Sequence, residues 1–249
     1  MISIRNVHKR FGAQVVLNGI NLDIEPGRTT AVVGPSGVGK SVLLKLIMGI
    51  LAPDAGEIRI FGENITAARS ERERNRIRAS LGVLFQAAAL FDSLTVYDNV
   101  AFPLRERTKL SRREIHTRVS AMLGALSLEE YAFHVPQEIS MGMRKRVGMA
   151  RALVTEPRIL LFDEPNTGLD PLVGQEVYDL INQSRQRWGF TGVVISHELP
   201  EVFQVSDRVA MLLHGNVVAE GTPAELMSSA DPAVRQFLKG TIDGPIKIQ

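Results

Sequence analysis

A chain of 249 residues, 45% of them hydrophobic, is long enough for one large domain or one domain carrying an insertion. It has no cysteine, which excludes disulfides, thiol chemistry and Cys-ligated metal. The formal net charge is only +2, which argues neither for nor against a membrane surface and gives no strong nucleic-acid signal, and no apolar run approaches the roughly 18 residues of a membrane-spanning helix.

Met1 to Val7 alternates like a strand and does not resemble a signal peptide. Ile2, Ile4, Ile20, Leu22 and Ile24 fall on period-two faces, and Pro26-Gly27 marks a turn. Phe11 is expected in a loop, Lys9 to Gly12, where an aromatic suits either stacking on a nucleotide base or anchoring a hairpin. Thr30 to Val33 reads as a short buried strand and Val42 to Met48 as a helix. Between them Gly34-Pro35-Ser36-Gly37-Val38-Gly39-Lys40-Ser41 matches G-x-x-x-x-G-K-[ST]. That is the phosphate-loop pattern in its proper context. Glycines let backbone N–H groups approach phosphate, and the helix N-terminus adds positive potential. Lys40 is expected to reach the β- and γ-phosphates and the Ser41 hydroxyl to ligate Mg²⁺.

Pro53 to Gly56 is a turn before the strand Glu57 to Ile60. Ala67 to Arg78, dense in Arg and Glu of mixed sign, reads as a solvated helical face. Leu81 to Phe85 is another buried strand, which puts Gln86 at a carboxyl edge, where ligands bind in open α/β sheets. From Ala87 to about Glu156 the pattern turns helical, as an insertion in an α/β domain would. Ser111 to Glu114 is a capping box, and a helix opens at Ile139 to Met143 and runs through Arg151. Arg158 to Phe162 runs as a buried strand into Asp163 and Glu164. A carboxylate pair at such an edge is costly unless it serves a metal or a reaction. Asp163 suits Mg²⁺, through water, and Glu164 a general base on an attacking water. Asp170 and Pro171 start a helix; the strand Thr191 to Ile195 ends at Ser196-His197, again at a carboxyl edge. Val209 to Ala219 is a hairpin, Thr222 caps a short helix, and the tail from Lys239 is either disordered or bound to a partner.

In this order the motifs resemble an ABC-transporter nucleotide-binding subunit over essentially the whole chain. The resemblance implies a P-loop NTPase of the ABC ATPase fold: a RecA-like core, an antiparallel β subdomain and an inserted helical subdomain. Phe11 matches the adenine-stacking position, Gly34 to Ser41 Walker A, and Gln86 the Q-loop. Ile139 to Met143 matches the signature, with Ser140, Gly142 and Met143 as nucleotide contacts. Asp163 and Glu164 match Walker B and its catalytic base, Asn166 to Asp170 the D-loop, and His197 the switch histidine. Lys40, Gln86, Glu164 and His197 are thus the expected catalytic set, and Ser41, Gln86 and Asp163 the Mg²⁺ set, with ATP as the nucleotide. The domain is expected over residues 1–238, the helical insertion over about 87–156, and a docking tail over 239–249.

Leu84 to Glu106, Met143, and the ending Phe237 to Pro245 more narrowly resemble the ATPase of Mla/MCE-type phospholipid transporters. That implies a homodimer on the cytoplasmic face of a bacterial inner membrane, two permease subunits, and an MCE-domain protein on the far side. An Mla-type member also allows a small STAS-domain partner; no nucleic acid is expected. Two other classes stay open: a soluble ABC ATPase without transport, and a weakly hydrolysing regulatory module. Met141 stands where the signature usually has its first glycine, and a methionine enters φ > 0 only at a cost, so partial obstruction of dimer closure is expected. Ala87 and Ala88 replace the Ser-Gly that relatives commonly carry.

Overall fold

The computed structural model describes residues 2–246. The chain divides into two compact units, one of residues 1–79 with 191–249 and one of residues 80–190.

In the first unit, β1 (Ile2–Phe11) pairs antiparallel with β2 (Gln14–Ile24) and with β4 (Ala55–Ile60), and β5 (Glu63–Asn64) extends the edge. Ile2 lies opposite both Ile24 and Ile60, and Ile4 opposite both Leu22 and Ile58, so one face of this sheet is continuous aliphatic core. Full burial of each such side chain contributes roughly 1.5–3 kcal/mol. The expected loop around Phe11 is instead the end of a ten-residue strand, and the turn falls at Gly12-Ala13.

A second set of strands carries β3 (Thr29–Val33) between two parallel neighbours, β8 (Thr191–Ser196) and β9 (Arg208–Leu213). Every residue of β3 and β8 is buried, as a strand flanked by parallel neighbours requires. β9 turns at His214-Gly215 into β10 (Asn216–Gly221), the expected hairpin. α1 (Lys40–Ile47) follows β3 directly. α2 (Glu71–Arg78) buries only Ile77, as a solvated face should. Its last residue departs from that reading. Arg78 donates Nε to Met48 O at 2.8 Å and Nη2 to Gly49 O at 2.7 Å, so it caps the carbonyl end of α1. α7 (Pro223–Met227), with the expected capping box at Thr222, and α8 (Pro232–Lys239) complete the unit.

In the second unit β6 (Leu81–Leu84) pairs parallel with β7 (Ile159–Asp163). Between them in sequence run α3 (Val96–Arg107), α4 (Arg112–Ala125) and α5 (Met141–Leu153). α4 has the capping box read at Ser111-Glu114, and Ile115, Val119, Met122 and Leu123 form its buried stripe. α6 (Pro171–Trp188) starts at Asp170, whose carboxylate accepts from Leu172 N and Val173 N, and stops at Gly189 in the left-handed region. Among the described residues no helix is long and apolar enough to cross a membrane.

Candidate functional site

The phosphate loop joins β3 to α1 in the first unit, and its shape is enforced by space. Gly34 has φ +148, and a Cβ there would lie 2.2 Å from Leu212 O. Gly39 has φ +105, and a Cβ would meet Leu17 and Val16 at 2.8 and 2.9 Å. Only glycine fits either position. Ser36 and Gly37 stay exposed at the rim, while Lys40 is 5% exposed. The Lys40 ammonium lies inside the loop and donates to Gly34 O at 2.7 Å and Pro35 O at 2.9 Å. Ser41 follows in the first turn of α1. A buried cation in a glycine-bounded loop at a helix N-terminus fits a polyphosphate anion. His197 directly follows β8, the strand beside β3, and is partly exposed. Phe11 is 48% exposed, with the Lys9 ammonium 5.4 Å from its ring centroid.

The second unit carries the remaining residues. Gln86 is exposed, two residues past β6. Asp163 is the last residue of β7. Glu164 has φ +47, a left-handed backbone that a residue with Cβ avoids, and it turns the chain sharply off the strand end. Thr167 Oγ1 donates to the Glu164 carboxylate at 3.2 Å. Two residues beyond Glu164, the buried Asn166 accepts from Tyr178 Oη at 3.0 Å.

Ser140 is the N-cap of α5, and its hydroxyl accepts from Met143 N at 3.2 Å. Met141 is the first helical residue, 47% exposed, and is not among the residues with positive φ. The left-handed backbone that would penalise a methionine is therefore not adopted here. Gly142 is the position under pressure: a Cβ would sit 3.3 Å from Val173 Cγ1 on α6. Ser140, Met141, Gly142, Met143, Arg146 and Asp170 are among the residues that line a cleft of about 660 Å³ in this unit. The structure thus groups Lys40, Ser41 and His197 in the first unit and Gln86, Asp163, Glu164, Asp170 and the signature in the second.

Ser41 in the first unit, and Gln86 and Asp163 in the second, each carry a side-chain oxygen of the kind Mg²⁺ takes. No group of three or more His, Cys, Asp or Glu that could hold a metal occurs among the described residues.

Several working residues escape motif reading. Lys145 is 1% exposed, and its ammonium donates to Gln86 O. Its only signal was spacing: Lys145, Met149 and Ala152 share the buried face of α5 at helical intervals. Asn99 is fully buried in α3, accepts from Phe91 N and donates to Phe91 O, Leu94 O and Thr95 O, so it ties the loop 91–95 to the helix.

The model of the family described as ABC transporter matches residues 17–167, more than half of the chain. The chain belongs to the ABC transporter family. As an ABC cassette it is 40% identical to the intermembrane phospholipid transport system ATP-binding protein MlaF of Haemophilus influenzae, over all of this chain and 94% of that one. Among solved structures, cbiO1 of Clostridium perfringens, part of the ABC transporter complex cbiONQ, matches with a TM-score of 0.84 at 31% identity. The match covers 92% of this chain and 90% of that one. The dimeric ATP-binding cassette MJ0796, in a post-hydrolysis state bound to ADP and Pi, matches with a TM-score of 0.79 at 32% identity, over 90% and 99% of the chains. The expected ABC ATPase fold is thus borne out, and so is the ATPase activity expected from the motifs.

Proposed function

We propose that this cassette drives phospholipid transport as one of two identical ATPase subunits of a membrane complex, and that the residues above perform the hydrolysis. The observation that carries the hydrolytic half is the loop of Gly34 to Ser41, closed to any residue but glycine at two positions and holding a buried ammonium. Likeness to MlaF along the whole chain supports the lipid substrate.

In this reading Lys40 and the loop N–H groups hold the β- and γ-phosphates of ATP, with Pro35, Ser36, Gly37, Val38 and Gly39 supplying backbone, and Phe11 stacks on adenine. Ser41, Gln86 and, through water, Asp163 would hold Mg²⁺, which would neutralise charge on the phosphates. Glu164 takes the proton of the attacking water. His197 contacts the γ-phosphate and senses its loss. Ser140, Gly142 and Met143 at the α5 N-terminus, with Asp170, serve the nucleotide held by the other copy. ATP closes the dimer, and hydrolysis reopens it.

The partners in this reading are a permease bound beside Gln86, an MCE-domain protein reached through it, and a small STAS-domain protein. The cassette sits peripherally on the cytoplasmic face of a bacterial inner membrane. Residues 239–249 form the docking tail, and about 87–156 the inserted helical subdomain. The test is purification of the cassette from membranes with its subunits, followed by reconstitution in vesicles holding a fluorescent phospholipid. ATP-dependent movement of the lipid, lost in Glu164→Gln, is expected. A cassette that co-purifies with no membrane subunit overturns the transport reading.

A further inference from the structure

Two cations on α5 reach the loop that follows β6. Lys145 donates to the carbonyl of Gln86. Six residues later Arg151 donates Nη2 to Ala88 O at 2.6 Å and Nη1 to Ala89 O at 2.7 Å. The carbonyls of Gln86, Ala88 and Ala89 thus all accept from this one helix. The loop they belong to is not relaxed backbone. Ala88 has φ +57 and Ala89 φ +47, where a Cβ crowds the following carbonyl. Gly148 lies between the two cations, and a Cβ there would come within 2.7 Å of Leu84 Cδ1 and 3.2 Å of Ala88 Cβ. Helix and loop approach this closely because position 148 has no side chain.

We propose that Lys145 and Arg151 are positioning residues for ATP hydrolysis. They clamp segment 86–89 with Ala88 and Ala89 in the left-handed region, fix where the Gln86 side chain leaves the loop, and tie that position to the helix that begins at Ser140. The inference rests on the role given to Gln86 above. Charge-assisted bonds to carbonyls are stronger than neutral ones, so they can hold a backbone that would otherwise return to ordinary φ. Lys145 is buried, and a buried ammonium persists only when its hydrogen bonds are made. Loop and helix therefore move together or not at all, and Gln86 is aimed by a residue that never touches nucleotide.

Lys145→Met keeps length and removes the donor; Lys145→Arg restores one. Hydrogen exchange of segment 86–90 is read on the full-length, nucleotide-free protein, with 191–196 as internal reference. Turnover against Mg²⁺ concentration is read on the assembled complex, and nucleotide affinity without Mg²⁺ on the cassette. Loss of one buried charge-assisted bond predicts roughly tenfold faster exchange and roughly tenfold lower turnover in Lys145→Met. More Mg²⁺ should then be needed for half-maximal rate, Mg²⁺-free affinity should be unchanged, and Lys145→Arg should recover both losses. Faster exchange with normal turnover and Mg²⁺ demand reduces the clamp to packing and overturns the proposal, as does unchanged exchange. If Lys145→Met exchanges faster everywhere, Arg151→Lys, which keeps a cation, decides by the same readings. A wild-type complex that hydrolyses no ATP sinks the proposed function instead, and the exchange data still judge the clamp.

Discussion

Tyr178 on α6 donates its hydroxyl proton to the Asn166 side chain at 3.0 Å, with 0% and 4% of the two residues exposed. This bond anchors the segment that carries Glu164 and Asp170, because Asn166 lies between them and Tyr178 lies in the middle of a long helix. The anchor is needed, since Glu164 itself is held at positive φ. Tyr178→Phe should cost about 1 kcal/mol of stability, the usual worth of a neutral buried hydrogen bond. It should also lower turnover several-fold while ATP affinity stays put. Thermal melting and steady-state hydrolysis check this; a variant normal in both removes Asn166 from the catalytic frame.

Glu164→Gln should slow hydrolysis by roughly 10²–10⁴-fold, the usual share of a general base. Nucleotide still binds, because the phosphate loop is untouched, and uncleaved ATP should keep two copies together. Size-exclusion chromatography with ATP and Mg²⁺ reports the dimer directly. Near-normal hydrolysis would transfer the base to another residue.

Lys40→Ala removes a buried ammonium that donates to two carbonyls inside the loop. ATP affinity should drop at least tenfold, since hydrogen bonds to charged groups contribute about 1.5–3 kcal/mol. The loop also loses the cation that draws Gly34 O and Pro35 O together, so ADP should suffer as well. Titration with both nucleotides tests this, and unchanged affinity for either contradicts it.

Much of this site was legible because phosphate chemistry forces a local pattern. Glycines at 34 and 39 are required by backbone and side-chain contacts, and a strand rich in aliphatics must precede them. The caps at Ser111, Asp170 and Thr222 were equally local, each a side chain serving N–H groups two or three residues away. What escaped was non-local. Arg78 looked like one more charge on a solvated face, yet it caps a helix thirty residues earlier. Lys145 belongs to no motif, yet it serves a carbonyl fifty-nine residues away. A long cationic side chain reads as surface in sequence, and only the tertiary structure shows which carbonyl it satisfies. Phe11 was misplaced for a simpler reason: strand ends carry little signal when exposed residues finish them.

The signature methionine now bears a different expectation from the one its sequence position suggests. Met141 starts α5 without positive φ, so a glycine there relieves no backbone strain. Met141→Gly should instead weaken the first turn by up to about 1 kcal/mol, the propensity gap between an ordinary residue and glycine. ATPase activity and ATP-dependent dimerisation should be equal or lower. A clear rise in both would mean that close backbone approach in the dimer, and not local conformation, governs this position.

The end of the chain gives the last prediction. The segment after α8 is bound back onto that helix by one buried amide. Gln236 accepts from Ile246 N at 2.7 Å and donates to Thr241 O, Ile242 O and Ile246 O at 3.3, 3.1 and 3.0 Å. Gly244 permits this, for a Cβ there would fall 2.3 Å from the Gln236 amide oxygen. The buckle leaves Ile242 81% exposed, an apolar residue held out on a fixed turn. Residues 247–249, including the apolar Ile248, lie outside the described part of the chain. If the tail docks on a neighbouring subunit, the buckle sets its geometry. Gln236→Ala should then release residues 240–246, raise their protease sensitivity, and weaken assembly about as much as truncation after Lys239. Ile242→Asp should weaken assembly while leaving protease sensitivity unchanged, because it alters the docking surface and not the buckle. A complex of normal stability in both the truncation and Ile242→Asp would show that the tail contacts no neighbour.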